Sequence, residues 1–317
     1  MKSLSVIIPA YNVGKYIKRC LDSLTYDKDA LKYLDVIVVD DGSSDMTFKI
    51  AERYAKKYIN SVKVIKKVNG GHGSTINEGI KVSKGRYIKI LDGDDWFNVF
   101  ELGIFAKRLS EEKADVVITN YKRILLYNEK EKEFNFFNKK EKGIYKICDV
   151  TKELDCPEFF FKFSMPSMTV RTEVLKKTWG EGLPEKRFYV DQLFVAKVLL
   201  CADTYTVYNM DIYRHFIGRS EQSIGMAGLY KHRLDHEFVL KELLKIYIKT
   251  DNEYKKQILK KQLILMLQTQ YQIYLYDDSF LKTDRRELIK FNNFLKKNYE
   301  EFYKEKITKI NILRRIR

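Results

Sequence analysis

The sequence predicts an α/β protein with a doubly wound sheet, followed by a region of α-helices. Two observations carry this prediction. Between residues 4 and 91, short apolar runs typical of buried strands alternate with amphipathic helical stretches. From about residue 228, the composition changes to Lys, Leu, Ile and Tyr without proline, which indicates helices. The chain should therefore hold a sheet-based domain and a helical region.

Composition and charge limit the class of protein. The 317 residues are 45% hydrophobic and 32% charged, which fits a globular protein. No apolar run approaches the roughly 18–20 residues of a membrane span. The first apolar run, Val6-Ile7-Ile8, is too short for a secretory signal and ends in Pro9. We therefore expect a cytoplasmic protein.

The net charge of +16 suggests an anionic partner. The positive residues are mainly lysines scattered through predicted helices, without the clustered arginines and interleaved aromatic residues of a nucleic-acid groove. Nucleic acid is therefore not expected as a partner, whereas an anionic membrane and a phosphorylated substrate stay open.

The predicted strands are short and separated by one helix each. The first ends where Pro9 removes a donor from the ladder. The predicted strands cover residues 4–9, 35–40, 62–65, 87–91 and 115–119, and the first three helices carry apolar faces over 16–24, 48–58 and 76–80. Such βαβ units place the carboxyl ends of the strands at one edge of the sheet, where ligands bind.

Four loops should meet at that edge because each follows one of the first four strands. They are Pro9-Ala10-Tyr11-Asn12, Asp40 to Asp45, Asn69 to Ser74, and Asp92-Gly93-Asp94-Asp95. The third loop is rich in glycine and leads into a helix, an arrangement that offers backbone N–H groups to phosphate oxygens. It lacks the GxGxxG spacing and the P-loop lysine, so a dinucleotide or NTPase site is not indicated.

Three carboxylates in the fourth loop, those of Asp92, Asp94 and Asp95, lie within four positions. Carboxylates this close repel one another, so such a cluster usually has a cation to neutralise it. Oxygen ligands favour Mg²⁺ or Mn²⁺ over zinc. The alternative is a solvated acidic turn that caps the following helix.

Taken in order, these segments resemble glycosyltransferase family 2. The matching stretches are Ser5 to Asn12, Val38 to Asp45, Asn69 to Gly73 with Asn77, and Leu91 to Asp95. Each motif is weak alone, but four in order at successive strand ends are specific. The resemblance implies the GT-A fold, a doubly wound mixed sheet with helices on both faces. It also implies a nucleotide-diphosphate sugar donor and transfer with inversion at the anomeric carbon.

The resemblance implies which residues bind the donor. Asp41 would contact the uracil ring, Asp92 would face the ribose or the donor sugar, and Asp94 would hold Mn²⁺ or Mg²⁺, with Asp92 and Asp95 as weaker metal candidates. For His72, a ligand contact and a plain loop position stay open. The implied nucleotide-sugar-binding residues are Pro9, Ala10, Tyr11, Asn12, Asp41, Gly71, His72, Asn77, Asp92 and Gly93.

Asp191 is the expected general base. Family members commonly carry Glu-Asp or a lone Asp at the start of a helix that closes the acceptor site, and here Val190 replaces the Glu. An inverting transfer needs one carboxylate to take the proton of the acceptor hydroxyl. The alternative for Asp191 is a charge that complements the helix dipole.

A second implied donor contact lies further on, because residues 213–223 resemble the terminal loop that folds over the donor diphosphate. Arg214 and Arg219 suit bidentate phosphate contacts, and His215 is a further candidate for the metal or phosphate shell. The alternative is a set of surface charges.

The expected domains are a catalytic domain over 1–227, with a nucleotide-binding half over 1–119 and an acceptor-binding half over 120–227, and a helical region over 228–317. Apolar residues at 307, 310, 313 and 316 alternate with Lys and Arg. Such a helix can lie on the anionic inner face of the plasma membrane, or pack on its own domain or on a second subunit.

We therefore expect an inverting enzyme that moves a hexosyl or N-acetylhexosaminyl group from a UDP-sugar to a bacterial glycan, glycolipid or glycoprotein. A sugar-phosphate nucleotidyltransferase is one alternative, but it would carry a basic glycine-rich loop where this chain has Pro9 to Asn12. A non-catalytic subunit of a glycan-assembly complex is the other.

Overall fold

One mixed sheet forms the centre of the first part of the chain. The computed structural model describes residues 2–125, 131–134, 143–154, 162–218, 225–275 and 282–309. The chain divides into two units, Met1–Ser220 and Glu221–Arg317. The expected boundary after residue 227, and the further division after residue 119, stay predictions.

The sheet contains ten strands within the described residues. The strands are β1 (Leu4–Ala10), β2 (Leu34–Asp40), β3 (Val62–Lys66), β4 (Tyr87–Ile90), β5 (Trp96–Phe97), β6 (Val116–Leu125), β7 (Glu131–Phe134), β8 (Ile144–Lys146), β9 (Met168–Arg171) and β10 (Thr204–Ile217). Their order is β3-β2-β1-β4-β9-β6-β10-β5, with β7 beside β6 and β8 beside β10. The helices of this unit are α1 (Ile17–Thr25), α2 (Thr47–Lys57), α3 (His72–Val82), α4 (Val99–Leu109), α5 (Thr172–Thr178) and α6 (Asp191–Cys201).

The first four strands are parallel, and their order reverses between β1 and β4. The chain runs outward from β1 to β2 and β3, and then returns to place β4 on the other side of β1. Every residue of β1, β2 and β4 is buried, as their continuous apolar runs predict. The loops after β1 and β4 therefore flank the point at which doubly wound sheets bind ligands. The predicted α/β fold is confirmed.

Two strands of the second half differ from the sequence prediction. β6 continues to Leu125, beyond the predicted end at residue 119. β10 is a strand of 14 residues, so Arg214 and His215 lie in the sheet and not in the expected terminal loop. The reason is that β10 pairs with β6 along most of its length. Arg219 lies outside the described residues.

The second unit is helical. Its described helices are α7 (Met226–Lys231), α8 (Arg233–Lys249), α9 (Glu253–Tyr274), α10 (Lys282–Asn298) and α11 (Glu300–Lys309). The chain between α10 and α11 is interrupted at Tyr299. Apolar side chains such as Leu240, Leu263 and Phe291 are buried.

Membrane contact by the C-terminal residues stays a prediction, because residues 310–317 lie outside the described part. Within the described ranges, no helix is both long and apolar enough to cross a membrane.

Candidate active site

The acidic loop follows β4 and lies directly against the first loop. The Gly93 amide donates to the Pro9 carbonyl at 3.2 Å. A Cβ atom at Gly93 would lie 2.9 Å from Val13 Cγ2 and 3.1 Å from that carbonyl oxygen. The two loops therefore meet so closely that position 93 has no room for a side chain.

Asp95 anchors this loop to β10. Its side chain is buried, and its two oxygens accept from the Tyr213 hydroxyl at 2.5 Å and from the Phe216 amide at 2.7 Å. Burial, and next the negative charge of Asp92, raise the pKa of Asp95 well above its ordinary value. Both carboxylate oxygens of Asp95 face protein donors and the residue is only 1% exposed, and its predicted share in the metal shell stays a prediction.

Asp94 is half-buried. Arg19 forms a hydrogen bond with its backbone. The guanidinium of Arg19 lies 3.6 Å from the centre of the Trp96 ring and 4.5 Å from that of Phe216. It also donates to the Asp94 carbonyl oxygen at 3.2 Å. The contacts of Arg19 with the two rings and with the carbonyl oxygen stabilise the backbone of the acidic loop at Asp94.

His72 and Asp92 join the glycine-rich loop to the acidic loop. His72 Nε2 lies 2.9 Å from Asp92 Oδ1. Burial lowers the pKa of His72, but the hydrogen bond and charge of Asp92, with the charges of Asp191 and Asp41, raise it overall. The nearby carboxylates therefore favour the protonated form of His72.

Asp191, the first residue of α6, lies close enough to this pair for their charges to interact. Burial raises the pKa of Asp191, and the Asp92 charge adds to the rise. A hydrogen bond from Gln192 Nε2 to Asp191 Oδ2 at 3.0 Å and the charge of His72 act in the opposite direction. The structure therefore brings together three predicted site residues, His72, Asp92 and Asp191.

Asp41 organises the glycine-rich loop. Its carboxylate accepts from Lys67 Nζ at 2.8 Å and from the amides of Gly70 and Gly71 at 2.9 and 2.7 Å. The Gly71 amide is therefore occupied by Asp41, and the predicted contact of Gly71 with the nucleotide-sugar stays a prediction. The predicted contact of Asp41 with uracil stays a prediction.

The first two loops are tied together by Asn12. Its side-chain Oδ1 accepts from the Ser44 backbone amide at 2.9 Å, and its backbone amide donates to Ser43 Oγ at 3.0 Å. Asn12 adopts a left-handed backbone with φ of 52°, which asparagine tolerates better than most residues. The neighbouring Tyr11 is 52% exposed, so its ring is available to a ligand at this end of the crevice.

The polar side-chain atoms of Asn77 are hydrogen-bonded within the protein. Its Oδ1 accepts from Trp179 Nε1 at 3.1 Å and from the Leu183 amide at 2.8 Å, and its Nδ2 donates to the Leu183 carbonyl at 2.9 Å. The segment between α5 and α6 thus occupies the polar atoms of this side chain, and the predicted contact of Asn77 with the nucleotide-sugar stays a prediction.

Arg214 is also engaged within the protein. Its Nη1 donates to Asp211 Oδ1 at 2.6 Å, and its side chain is only 13% exposed. The guanidinium is thus paired with Asp211 on the same strand, and the predicted phosphate contact of Arg214 stays a prediction.

His215 lies close enough to Asp92 for their charges to interact, and its imidazole is neutral at pH 7. Burial lowers the pKa of His215 to about 4, against the opposing charge of Asp92. Among the residues that the structure describes, its buried Nδ1 has no hydrogen-bond partner. A neutral imidazole is the form that binds metals, and its predicted share in the metal shell stays a prediction.

Sequence reasoning missed three residues of this region. Tyr213 contacts Asp95 across 118 positions of sequence, and Arg19 reaches the acidic loop from α1, so neither contact leaves a local signal. Lys89 did leave one, because it interrupts the apolar run of β4. It is buried, and its Nζ donates to the carbonyls of Pro166 at 2.7 Å and Met168 at 3.2 Å.

Comparisons with known proteins agree with the fold. The family model described as glycosyl transferase family 2 matches residues 5–174. Glycosyltransferase GlyG of Streptococcus pneumoniae serotype 4 is 36% identical over 135 residues, which are 42% of this chain and 42% of GlyG. Poly(ribitol-phosphate) beta-N-acetylglucosaminyltransferase TarS of Staphylococcus aureus is 27% identical over 234 residues, which are 72% of this chain and 38% of TarS.

A solved structure of S. aureus TarS in complex with UDP-GlcNAc matches with a TM-score of 0.63 and 26% identity, over 84% of this chain and 72% of that one. By sequence, the chain spans about two-fifths of the length of these two curated relatives.

Proposed function

The chain belongs to glycosyl transferase family 2, as its sequence motifs predict, and we propose that it transfers a sugar from a UDP-sugar to a glycan, glycolipid or glycoprotein acceptor with inversion. The observation that carries this proposal is the position of Asp191. Its carboxylate lies at the start of α6, within charge interaction of both Asp92 and His72. A base beside the acidic loop is the arrangement that a single displacement requires.

In the proposed reaction, Asp191 takes the proton of the acceptor hydroxyl. The acceptor oxygen forms a bond to the anomeric carbon of the sugar while the bond from that carbon to the β-phosphate oxygen breaks. UDP leaves with the electron pair of the broken bond. Because burial raises the pKa of Asp191, its carboxylate is a better proton acceptor than an ordinary aspartate.

The acidic loop supplies ligands that suit a hard divalent cation. Asp94 would hold Mn²⁺ or Mg²⁺ through its carboxylate, with Asp92 as the next candidate. The bound cation would stabilise the negative charge that develops on the departing diphosphate. Within the described ranges, no group of three or more His, Cys, Asp or Glu side chains could enclose an ion. A cation held by Asp94 and Asp92 alone would leave coordination positions for diphosphate oxygens.

His72 supports binding of the donor. It lies at the first turn of α3 and is hydrogen-bonded to Asp92, and its protonated form, which the nearby carboxylates favour, would add a positive charge beside the acidic loop. Tyr11, at the other end of the crevice, offers an exposed ring to the uracil base. These two residues are proposed to bracket the UDP-sugar.

The proposed donor class follows from the relatives. The TarS structure is a complex with UDP-GlcNAc, and TarS is named as a poly(ribitol-phosphate) beta-N-acetylglucosaminyltransferase. We therefore propose a UDP-linked hexose or N-acetylhexosamine as donor, and a bacterial cell-surface polymer as the acceptor class. A membrane-associated location and self-association are parts of the proposal that need separate measurement.

Asp191→Asn tests the proposal. The variant should lose transfer but bind UDP as the wild type does, because the amide cannot accept the proton yet keeps the shape of the side chain. Asp251→Asn, at an exposed aspartate of the helical unit, is the control. Transfer by Asp191→Asn at the wild-type rate would refute the role of the base. A screen of UDP-sugars for metal-dependent hydrolysis would identify the donor.

A further inference from the structure

The segment that leads into Asp191 is held by the helix that also carries His72. α3 begins at His72, which contacts the acidic loop, and Asn77 lies further along the same helix. The Asn77 side chain makes three hydrogen bonds to Trp179 and Leu183. The first residue of α3 thus contacts the acidic loop, and a residue in the middle of α3 contacts the segment that precedes Asp191.

The glycine-rich loop packs against the same segment without intervening side chains. The Lys186 amide donates to the Gly70 carbonyl at 2.6 Å. A Cβ atom at Gly73 would lie 2.4 Å from the Pro184 carbonyl oxygen, and one at Gly71 would lie 2.9 Å from the Lys186 nitrogen. The glycines of this motif are therefore needed for the close approach of two backbones.

The segment itself is strained. Lys186 and Tyr189 adopt left-handed backbones with φ of 52° and 61°, a conformation that is unfavourable for side chains of this size. Such conformations persist where the surrounding contacts over-determine them, and they concentrate at functional sites. Here the surrounding contacts are those from Asn77 and from the glycine-rich loop.

The N-terminal end of the segment, at Trp179, packs against α6. Trp179 packs edge-on against Phe194 of α6, with ring centres 6.0 Å apart, and Lys197 Nζ donates to the Trp179 carbonyl at 3.2 Å. The contacts of Trp179 with Asn77 and with α6 therefore connect α3 to the helix whose first residue is Asp191.

We propose that Asn77 is a positioning residue, which fixes Asp191 relative to the acidic loop by clamping residues 179–183 onto α3. The inference rests on the proposed transfer reaction and names a residue on which its geometry depends. Asn77 acts through the segment and touches neither donor nor acceptor. Because small displacements of a reacting group lower rates strongly, loss of the clamp should lower kcat more than it weakens donor binding.

Two substitutions disturb the clamp from opposite sides. Asn77→Ala removes all three hydrogen bonds. Gly182→Ala pushes the segment away from α3, because a Cβ at Gly182 would lie 2.4 Å from Asn77 Oδ1. Gly180→Ala is the matched control, since Gly180 also has a positive φ but has no atom within 4 Å of a Cβ. The control carries the same type of backbone strain without the contact.

The expected result is a fall of about tenfold or more in kcat for Asn77→Ala and Gly182→Ala, with UDP dissociation constants within about twofold of the wild type. Gly180→Ala should keep its kcat within about twofold. Combining Asn77→Ala with Gly182→Ala should be no worse than Asn77→Ala alone, because the shortened side chain leaves room for the new Cβ. Wild-type kcat in Asn77→Ala, or loss of UDP affinity parallel to the loss of kcat, would overturn the proposal.

Amide hydrogen exchange gives a readout that is independent of catalysis. The Leu183 amide, which donates to Asn77, should exchange faster in Asn77→Ala than in wild type and Gly180→Ala. If the wild type transfers no sugar but this amide shows the expected change, the clamp stands and the proposed function fails. Unchanged exchange at Leu183 would refute the clamp, whatever the activity.

Discussion

The Tyr213 hydroxyl donates to Asp95 Oδ2 at 2.5 Å and accepts from the Asp92 amide at 3.3 Å. One buried side chain of β10 therefore contacts the acidic loop at two points. The contact divides the acidic residues by role: Asp95 faces the protein, while Asp92 and Asp94 remain partly exposed.

Asp95→Ala should destabilise the protein. The Phe216 amide and the Tyr213 hydroxyl would lose their acceptor in a buried site, at a cost of about 1–3 kcal/mol each in the free energy of unfolding. Chemical denaturation monitored by fluorescence would measure the loss. Stability equal to that of the wild type would contradict the structural role of Asp95.

Asp94→Ala should instead affect the metal. Because the Asp94 side chain is half-buried and lies on a loop held by backbone contacts, the free energy of unfolding should change by less than about 0.5 kcal/mol. The Mn²⁺ concentration needed for half-maximal transfer should rise by about tenfold or more. Removal of divalent cations with EDTA should abolish wild-type transfer, and added Mn²⁺ or Mg²⁺ should restore it. An unchanged metal requirement in Asp94→Ala would exclude it as the principal ligand.

The pH dependence of transfer should reflect Asp191. A base must be deprotonated to act, and burial raises the pKa of this carboxyl above its ordinary value of 3.8. Activity should therefore be full above the raised pKa and fall as the pH drops through it. The acid limb of kcat/KM would report this value, with UDP binding measured over the same pH range as a control. An acid limb at or below 3.8 would contradict the effect of burial.

Lys89 should make stability depend on pH. Burial lowers the pKa of Lys89 from 10.5 to about 7. Between these two values the unfolded chain holds the proton and the folded chain releases it, so the free energy of unfolding should rise with pH by up to about 1.4 kcal/mol per unit. Denaturation of the wild type and Lys89→Met at pH 7 to 10 would measure the difference in slope. Identical slopes in the two proteins would show that Lys89 stays charged in the fold.

The sequence by itself determined the first four strands and showed that candidate site residues follow their ends. Continuous apolar runs at β1, β2 and β4 predicted buried parallel strands, because a strand covered on both faces needs apolar residues on both. Pro9 did not end β1, which continues to Ala10, one residue beyond the predicted end. Since parallel strands present their carboxyl ends at one edge, the sequence also placed Asp41 and Asp92 in one crevice.

Only the tertiary structure decided which polar atoms are already occupied by protein partners. The carboxylate of Asp95, the amide of Asn77 and the guanidinium of Arg214 look equally suited to a ligand in the sequence, but each is held by a partner within the protein. Asp95 and Asn77 find those partners more than 100 positions away in sequence. Arg214 pairs with a near neighbour because both lie on a strand where a loop was expected. Local patterns encode where a side chain emerges, whereas long-range packing determines what it meets.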